Sequence, residues 1–168
     1  MIWHARESAF DDHLRGSDSM GVVLAEQTGR YVQIVDLIVQ EVRSKAAGLD
    51  LGTPEDFQRV MGTPEIHDYL VERVKNIPQA EAVALIDANG IIVNWSRPRP
   101  VDHLDVSSRD YFVRFRDHGD PGMFVGTLAK GRVTGEPSVY FARRVNGPGG
   151  RFLGVILGVV DVKYLSDF

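Results

Sequence analysis

The sequence predicts an α+β domain in which a long N-terminal helix packs on a five-stranded antiparallel sheet. Residues from about 3 to 47 contain no proline and carry an apolar stripe with helical spacing. From Pro78 onward the pattern changes to short apolar segments separated by turn residues, which is typical of strands. Helices that precede a run of strands are the order found in α+β domains.

Composition narrows the class of protein. A chain of 168 residues with 43% apolar and 25% charged residues suits one soluble domain with a sizeable core. The net charge of -4, without a run of Lys or Arg, gives no attraction for nucleic acid, so we expect no nucleic-acid partner. The chain has no cysteine, which excludes disulfides, thiolate catalysis and zinc–thiolate sites.

Membrane contact is expected only through segments outside this chain. No stretch approaches the roughly 18 to 20 apolar residues that cross a bilayer, and the N-terminus lacks the regions of a signal peptide. The start at Met1 and the end at Phe168, shortly after a strand, lead us to expect a piece of a longer membrane protein.

The first helix would span about 65 Å, more than a compact domain of this size needs. We expect its second half, Tyr31 to Val42, to cover the core, with Gly48 ending it and a possible break near Gly16 or Gly21. The first half is predicted to form a homodimer contact or a membrane-proximal stalk. The stripe continues through Leu24, Tyr31, Val35, Ile38 and Val42.

Two short helices are predicted next. Each begins with the same Gly-Thr-Pro-Glu pattern, at 52–55 and at 62–65, in which Thr is an N-cap and Pro fits the first helical position. The helices are expected at about 54–60 and 64–76. The repeat therefore has a structural explanation.

The strands follow. Ala82–Ile86 and Ile91–Trp95 flank a turn whose Asn89 and Gly90 are predicted to supply positive φ angles. Ser107 is expected to cap a short helix near 108–117 with its hydroxyl. The remaining strands are predicted at 123–129, 138–145 and 151–162.

Motifs for catalysis are absent from the sequence, so we expect no enzyme, cofactor or metal. No serine lies in a Gly-x-Ser-x-Gly elbow, and the glycines at 147, 149 and 150 precede a strand rather than a phosphate-binding helix. Asp102-His103 and Asp117-His118 are interpreted as polar loop and helix-end residues rather than metal ligands.

Arg109 is the candidate centre of a binding site. It follows Ser107 and Ser108 at the start of a short helix and precedes Tyr111 and Phe112. Its guanidinium offers paired donors to a carboxylate, while the two rings supply flat apolar walls. The alternative is that Arg109 pairs with a neighbouring aspartate, Asp105 or Asp110, while Phe112 fills the core. Residue types alone leave both readings open.

Four segments in order, Leu85–Ile92, Asp105–Phe112, Ala142–Val145 and Phe152–Ile156, resemble the extracytoplasmic Cache (PDC, PAS-like) sensor domains of bacterial receptors. Those receptors are histidine kinases, diguanylate cyclases and chemoreceptors. The resemblance implies a periplasmic, membrane-distal unit, with residues 1–50 as the long helix and 51–168 as the sensor domain proper.

The same resemblance implies a ligand site. Arg109, Tyr111 and Phe112 match the Arg-x-aromatic-aromatic contacts of the family, and Asp161 resembles an acidic residue that receives an ammonium group. The amino-acid-binding subgroup has Trp and Tyr at positions 111 and 112, and a tyrosine where this chain has Leu104. A carboxylate or another small organic anion is therefore expected in place of an amino acid.

Further site residues come from strand alternation. Ser138, Tyr140, Ala142 and Arg144 share one face of a strand, and we expect this set, led by Tyr140, to face the ligand. Ser107 and Thr127 complete the predicted ligand contacts. The expected function is a sensor for a small molecule; the alternative is a ligand-free structural or dimerisation module of a membrane receptor.

Overall fold

The computed structural model of this chain describes residues 18–98, 101, 103–126, 129–131 and 134–166. The predicted first half of the long helix lies largely outside the described residues. The helices are α1 (Asp18–Ala47), α2 (Pro54–Met61), α3 (Pro64–Val74), α4 (Asp110–His118) and α5 (Lys163–Ser166). The strands are β1 (Ala80–Asp87), β2 (Ile92–Trp95), β3 (Phe124–Val125), β4 (Ala129–Lys130), β5 (Pro137–Asn146) and β6 (Phe152–Asp161).

The strands form one antiparallel sheet in the order β2-β1-β6-β5-β3, with β4 also paired to β5. The edge strand predicted at 123–129 is thus two short pieces, both of which pair with β5. The sheet has five strand positions, as predicted, and the helix-first α+β order is confirmed. The longest strands, β5 and β6, lie next to each other and carry residues of both faces.

One face of the sheet is covered by α1. Val35, Val39 and Val42 are fully or almost fully buried in the same cluster as Phe141 and Ile156. Burial of this apolar stripe contributes roughly 25 cal/mol for each Å² removed from water, which holds the helix on the sheet. The prediction that the second half of the helix covers the core is confirmed, and α1 continues through Gly21 without a break.

The close approach of α1 depends on a glycine in β6. A Cβ atom at Gly158 would lie 2.5 Å from Cγ1 of Val35 and 3.1 Å from Cγ2 of Val39. Since real carbon atoms do not approach that closely, a side chain at this position would push the helix away from the sheet.

Both predicted Thr caps are present. The Thr53 hydroxyl accepts a hydrogen bond from the Asp56 amide, and the Asp56 carboxylate accepts one from the Thr53 amide, forming a capping box. The Thr63 hydroxyl accepts from the amide of Ile66. None of the helices in the described part of the chain is both long and apolar enough to cross a bilayer.

The turn between β1 and β2 differs from the prediction. Gly90 has φ of 82°, but Asn89 is not among the described residues with positive φ. Instead, the Asp87 carboxylate accepts hydrogen bonds from the amides of Asn89 and Ile91, and the Gly90 amide donates to the Asp87 carbonyl. The aspartate side chain therefore closes a longer turn, so only one left-handed residue is needed.

This turn holds the segment that leads to Arg109. The amide of Val106 donates to the Gly90 carbonyl at 2.7 Å, and Ile91 forms an antiparallel bridge with Asp105. The predicted hydroxyl cap on α4 is wrong. The helix begins at Asp110 with Arg109 as its N-cap, and no side-chain cap bond is present. The Ser107 amide donates to the Asp105 carboxylate, so this residue belongs to the turn that precedes the helix.

Candidate functional site

A small recess opens on the sheet face opposite α1 and encloses about 50 Å³. Its floor consists of apolar residues from β1, β2 and β6: Ala82, Ala84, Ile92, Trp95, Leu157 and Val159. Leu104, Val106 and Tyr111 close the side formed by the loop and α4. Because Ala82 and Ala84 have the smallest side chains of this floor, they leave the space that the recess occupies.

The mouth of the recess is polar and carries all of the charge among the described lining residues. The residues there are Glu81, Arg97, Arg109, Gly131, Ser138 and Tyr140. A mainly apolar concavity with a few convergent polar groups is the usual form of a small-molecule site in proteins.

Arg109 projects across this mouth. Its Nη2 donates to the carbonyl of Lys130 at 3.1 Å, and its guanidinium carbon lies 5.9 Å from the centre of the Tyr140 ring. Within the described residues Arg109 forms no ion pair with a carboxylate. The neighbouring aspartates bond to backbone amides, Asp105 to Ser107 and Asp110 to Tyr111. The guanidinium can therefore donate hydrogen bonds to a carboxylate from outside the protein.

Two tyrosine rings form one wall. The ring centres of Tyr111 and Tyr140 are 5.6 Å apart at an angle of 36°. Burial raises the pKa of the Tyr140 phenol above its usual value, against the opposing effect of the Arg109 charge. The phenol therefore stays protonated at neutral pH and can donate a hydrogen bond.

Glu81 reaches the recess because of a β-bulge. Ala80 pairs with Val160 and Ala82 with Val159, so Glu81 is an extra residue in β1. Ala80 and Ala82, which regular alternation would place on one face, lie in the core clusters on opposite faces. The bulge thus turns Glu81 toward the recess.

The Glu81 carboxylate has two partners. Oε1 accepts from Nη2 of Arg97 at 2.9 Å, and Oε2 accepts from the Ser138 hydroxyl at 3.2 Å. The side chains of Glu81 and Arg97 are only 14% and 20% exposed. The guanidinium of Arg97 also lies over the ring of Trp95, at 5.8 Å from its centre. This ion pair is consequently a fixed part of the mouth.

The structure brings some of the predicted site residues together. Arg109, Tyr111 and Tyr140 line the recess, together with Ser138. Ala142 lies in the core cluster of the same face, whereas Val139 and Phe141 face α1. Leu104 also contacts the recess, where it presents an apolar surface in place of a tyrosine hydroxyl.

Phe112, Ser107 and Asp161 lie elsewhere, and Thr127 is outside the described residues. Phe112 is 1% exposed and packs on Phe152 with ring centres 5.8 Å apart, so it fills the core instead of the recess. Ser107 packs beside Gly90, where a Cβ would lie 2.5 Å from the Ser107 Cα. The Asp161 carboxylate accepts from the Lys163 amide and lies 3.6 Å from the Lys163 ammonium, beyond the lining.

Sequence reasoning missed Glu81, Arg97 and Trp95. Trp95 ends a predicted strand and Arg97 lies in the proline-broken loop after it. The sequence therefore predicted the elements that carry them, but not that their side chains face the recess. The Asp117 carboxylate accepts hydrogen bonds from the Arg116 guanidinium, and Asp102 lies outside the described residues. Across the described residues no cluster of three His, Asp or Glu side chains is arranged to hold a metal ion.

Known proteins resemble this chain in sequence and in structure. No protein-family model matches the chain. It is 37% identical over 95 residues to the C4-dicarboxylate transport sensor protein DctB of Rhizobium meliloti (strain 1021), a match that covers 54% of this chain and 14% of that protein. The whole relative is therefore several times longer than the shared region.

Solved structures share the fold over most of the chain. The extracellular domain of rpHK1S-Z16, a candidate histidine kinase, matches with a TM-score of 0.58 and 25% identity, covering 86% of this chain and 61% of that one. The sensor domain of the V. cholerae histidine kinase DctB matches with a TM-score of 0.53 and 19% identity, covering 86% and 58%. These are sensor domains of receptors rather than catalytic domains.

Proposed function

We propose, from the premise that this chain is an extracytoplasmic sensor domain of the Cache type, that it binds a small organic anion in the recess beside Arg109. Occupancy would be reported across the membrane through segments outside this chain. The receiving partner would be a histidine kinase, a diguanylate cyclase or a chemotaxis component.

The proposal rests on the location of the Arg109 guanidinium and on its hydrogen-bond partner. It lies at the mouth of an apolar recess, next to a buried phenol, and its hydrogen bond within the described residues goes to a carbonyl and not to a carboxylate. A half-buried cation with no carboxylate partner among the described residues favours an anionic ligand, and a guanidinium pairs best with a planar carboxylate. The name of the DctB relative refers to C4-dicarboxylates, which supports a carboxylate as the group that Arg109 binds.

The sheet offers a direct route from ligand to helix. β5 contributes Tyr140 to the recess and Val139 and Phe141 to the face that α1 covers. β6 likewise contributes Val159 to the recess and Val160 to the α1 face. A ligand that shifts these strands changes the packing under α1, and differential affinity for two packings is the requirement for a signal.

The test is a thermal-shift screen of mono- and dicarboxylates, with amino acids included. A ligand at 100 times its Kd should stabilise the domain by about 2.7 kcal/mol, which raises Tm by roughly 5 to 10 °C for a chain of this size. Arg109→Ala should abolish that shift. Arg151→Ala is the matched control, because Arg151 is exposed in the turn between β5 and β6, at the far end of those strands.

An equal shift in Arg109→Ala and in the wild type would show that the anion binds elsewhere. A screen without any stabilising carboxylate would count against the ligand class itself.

A second candidate function, a dimerisation module, is favoured by one observation. Leu37 on α1 is 60% exposed, a large apolar side chain on the helix expected to form a homodimer. Leu37→Gln should weaken self-association in sedimentation experiments and leave folding intact. Ile38 is unsuitable for this test because it is 4% exposed and lies in the core. Unchanged association of Leu37→Gln would remove this support.

A further inference from the structure

We propose that Glu81 determines which anions the recess prefers. Because its carboxylate is paired with Arg97, only Arg109 is left to pair with a ligand, and the recess selects a monocarboxylate over a dicarboxylate. This inference rests on the proposed function, namely that a carboxylate binds beside Arg109. It adds a specificity-determining residue and a narrower ligand class.

The ion pair between Glu81 and Arg97 is built into the sheet. Glu81 lies at a bulge, and a bulge leaves its extra residue without a regular pairing position in the sheet. The result is a carboxylate at the mouth of the recess, where both of its oxygens are engaged, by Arg97 and by Ser138. A regular strand would have directed Glu81 toward the core beneath α1.

The charge at the mouth of the recess suits a monoanion. Among the described lining residues, two guanidinium groups and one carboxylate leave one net positive charge. A monoanion paired with Arg109 neutralises that charge. A second carboxylate on the ligand would find Arg97 already paired with Glu81. That carboxylate and the carboxylate of Glu81 would repel each other in a partly dehydrated space.

The charged groups of the recess lie close to one another and to Tyr140. The Arg109 guanidinium lies over the Tyr140 ring at 5.9 Å from its centre, and Glu81 is bonded to Arg97 and to Ser138, two residues before Tyr140 on β5. The ligand and the internal ion pair consequently share the same small volume, and a change at Glu81 acts directly on a bound anion.

The experiment measures Kd by calorimetry for two pairs of acids matched in chain length, propionate with malonate and butyrate with succinate. The variant is Glu81→Gln, which keeps the shape and an acceptor oxygen for Arg97, offers an amide N–H to the Ser138 hydroxyl, and removes the negative charge. Glu55→Gln is the control: it changes net charge equally, and Glu55 is exposed on α2, on the α1 side of the sheet.

The wild type should prefer the monocarboxylate of each pair. Glu81→Gln should shift the ratio of the two Kd values toward the dicarboxylate by roughly tenfold or more, whereas Glu55→Gln should leave it unchanged. If Glu81→Gln does not fold, Arg97→Gln provides the second measurement. Glu81 then lacks its cation, and affinity should fall for both acids, more steeply for the dicarboxylate.

Three outcomes would overturn the inference. If carboxylates bind the wild type and not Arg109→Ala, but Glu81→Gln has the wild-type ratio, the role of Glu81 is wrong while the proposed function stands. A wild type that prefers the dicarboxylate has the same consequence. If neither the wild type nor Glu81→Gln binds any of the four acids, this inference fails, and the proposed function fails as well if no carboxylate in the thermal-shift screen stabilises the domain.

Discussion

The guanidinium of Arg143 donates two hydrogen bonds to the carboxylate of Asp36, from Nε at 2.7 Å and from Nη2 at 2.9 Å. Arg143 belongs to β5 and Asp36 to α1, so this pair joins the long helix to a strand that also lines the recess. Both side chains are largely buried, at 17% and 15% exposed. The carboxylate of Asp36 raises the pKa of Arg143 above its usual value, so the arginine remains charged.

Asp36→Asn should destabilise the domain by roughly 1 to 3 kcal/mol, because a charge-assisted pair is lost and the largely buried guanidinium of Arg143 keeps its charge. Urea denaturation gives the free energy of unfolding. Glu72→Gln is the matched control, since Glu72 pairs with Lys75 at 3.9 Å on the surface and should change stability by less than about 0.5 kcal/mol. Equal effects in the two variants would show that the helix does not depend on this pair.

Gly90→Ala should be more damaging than Gly122→Ala. Both glycines have positive φ, 82° and 91°. At Gly90 a Cβ would also lie 2.5 Å from Ser107, whereas at Gly122 nothing lies within 4 Å. Gly122→Ala should cost about 1 kcal/mol for the backbone conformation alone. Gly90→Ala should cost more and weaken carboxylate binding, since it displaces the loop that carries Arg109.

Thermal denaturation and ligand titration of both variants check this prediction. Similar losses of stability, with unchanged ligand affinity in Gly90→Ala, would contradict the role given to the contact between Gly90 and Ser107.

Part of the stability should be lost in acid through Asp56, the carboxylate of the capping box of α2. The hydrogen bond from Arg59, followed by that of Thr53, holds the pKa of Asp56 below its ordinary value of 3.8. A depressed pKa means that the contribution is complete above 3.8 and is lost as pH falls through the folded-state pKa. Urea midpoints of wild type and Asp56→Asn should therefore differ at neutral pH and converge below pH 3.8. A difference that persists unchanged in acid would exclude this charge effect.

Tyr140 should limit stability at alkaline pH. Burial raises the pKa of its phenol above 10.0, so the folded state binds this proton more tightly than the unfolded chain does. The resulting stability is complete below pH 10 and is lost as pH rises through the folded-state pKa. Denaturation of Tyr140→Phe should show a smaller loss above pH 10 than the wild type. Parallel losses in the two proteins would place the phenol in solvent.

Many features of the fold followed from local sequence. The Thr-Pro pairs at 53–54 and 63–64 begin both short helices, as capping chemistry predicts. The apolar stripe of α1 identified its buried face, and the turn residues at 146–150 separated β5 from β6. These signals were readable because each depends on residues within a few positions of one another.

The binding site was only partly readable. Tyr111 lines the recess while Phe112 fills the core, because successive residues of a helix point about 100° apart. The residue types did not show where α4 begins: a hydroxyl cap was expected at Ser107, and the N-cap is Arg109, two residues later. The identity of Arg109 as a candidate site residue came from its chemistry, but its position at the mouth depends on the contact between Gly90 and Ser107.

The sequence by itself determined the order of helices and strands, the buried face of α1 and the presence of a cation beside two rings. Only the tertiary structure decided that Glu81 and Arg97 share the recess with Arg109. The physical reason is the bulge in β1: whether a strand carries an extra residue depends on its pairing with β6, more than 70 residues later in the chain. That pairing determines the face of the sheet on which the Glu81 side chain lies, and the residues next to Glu81 in the sequence do not predict it.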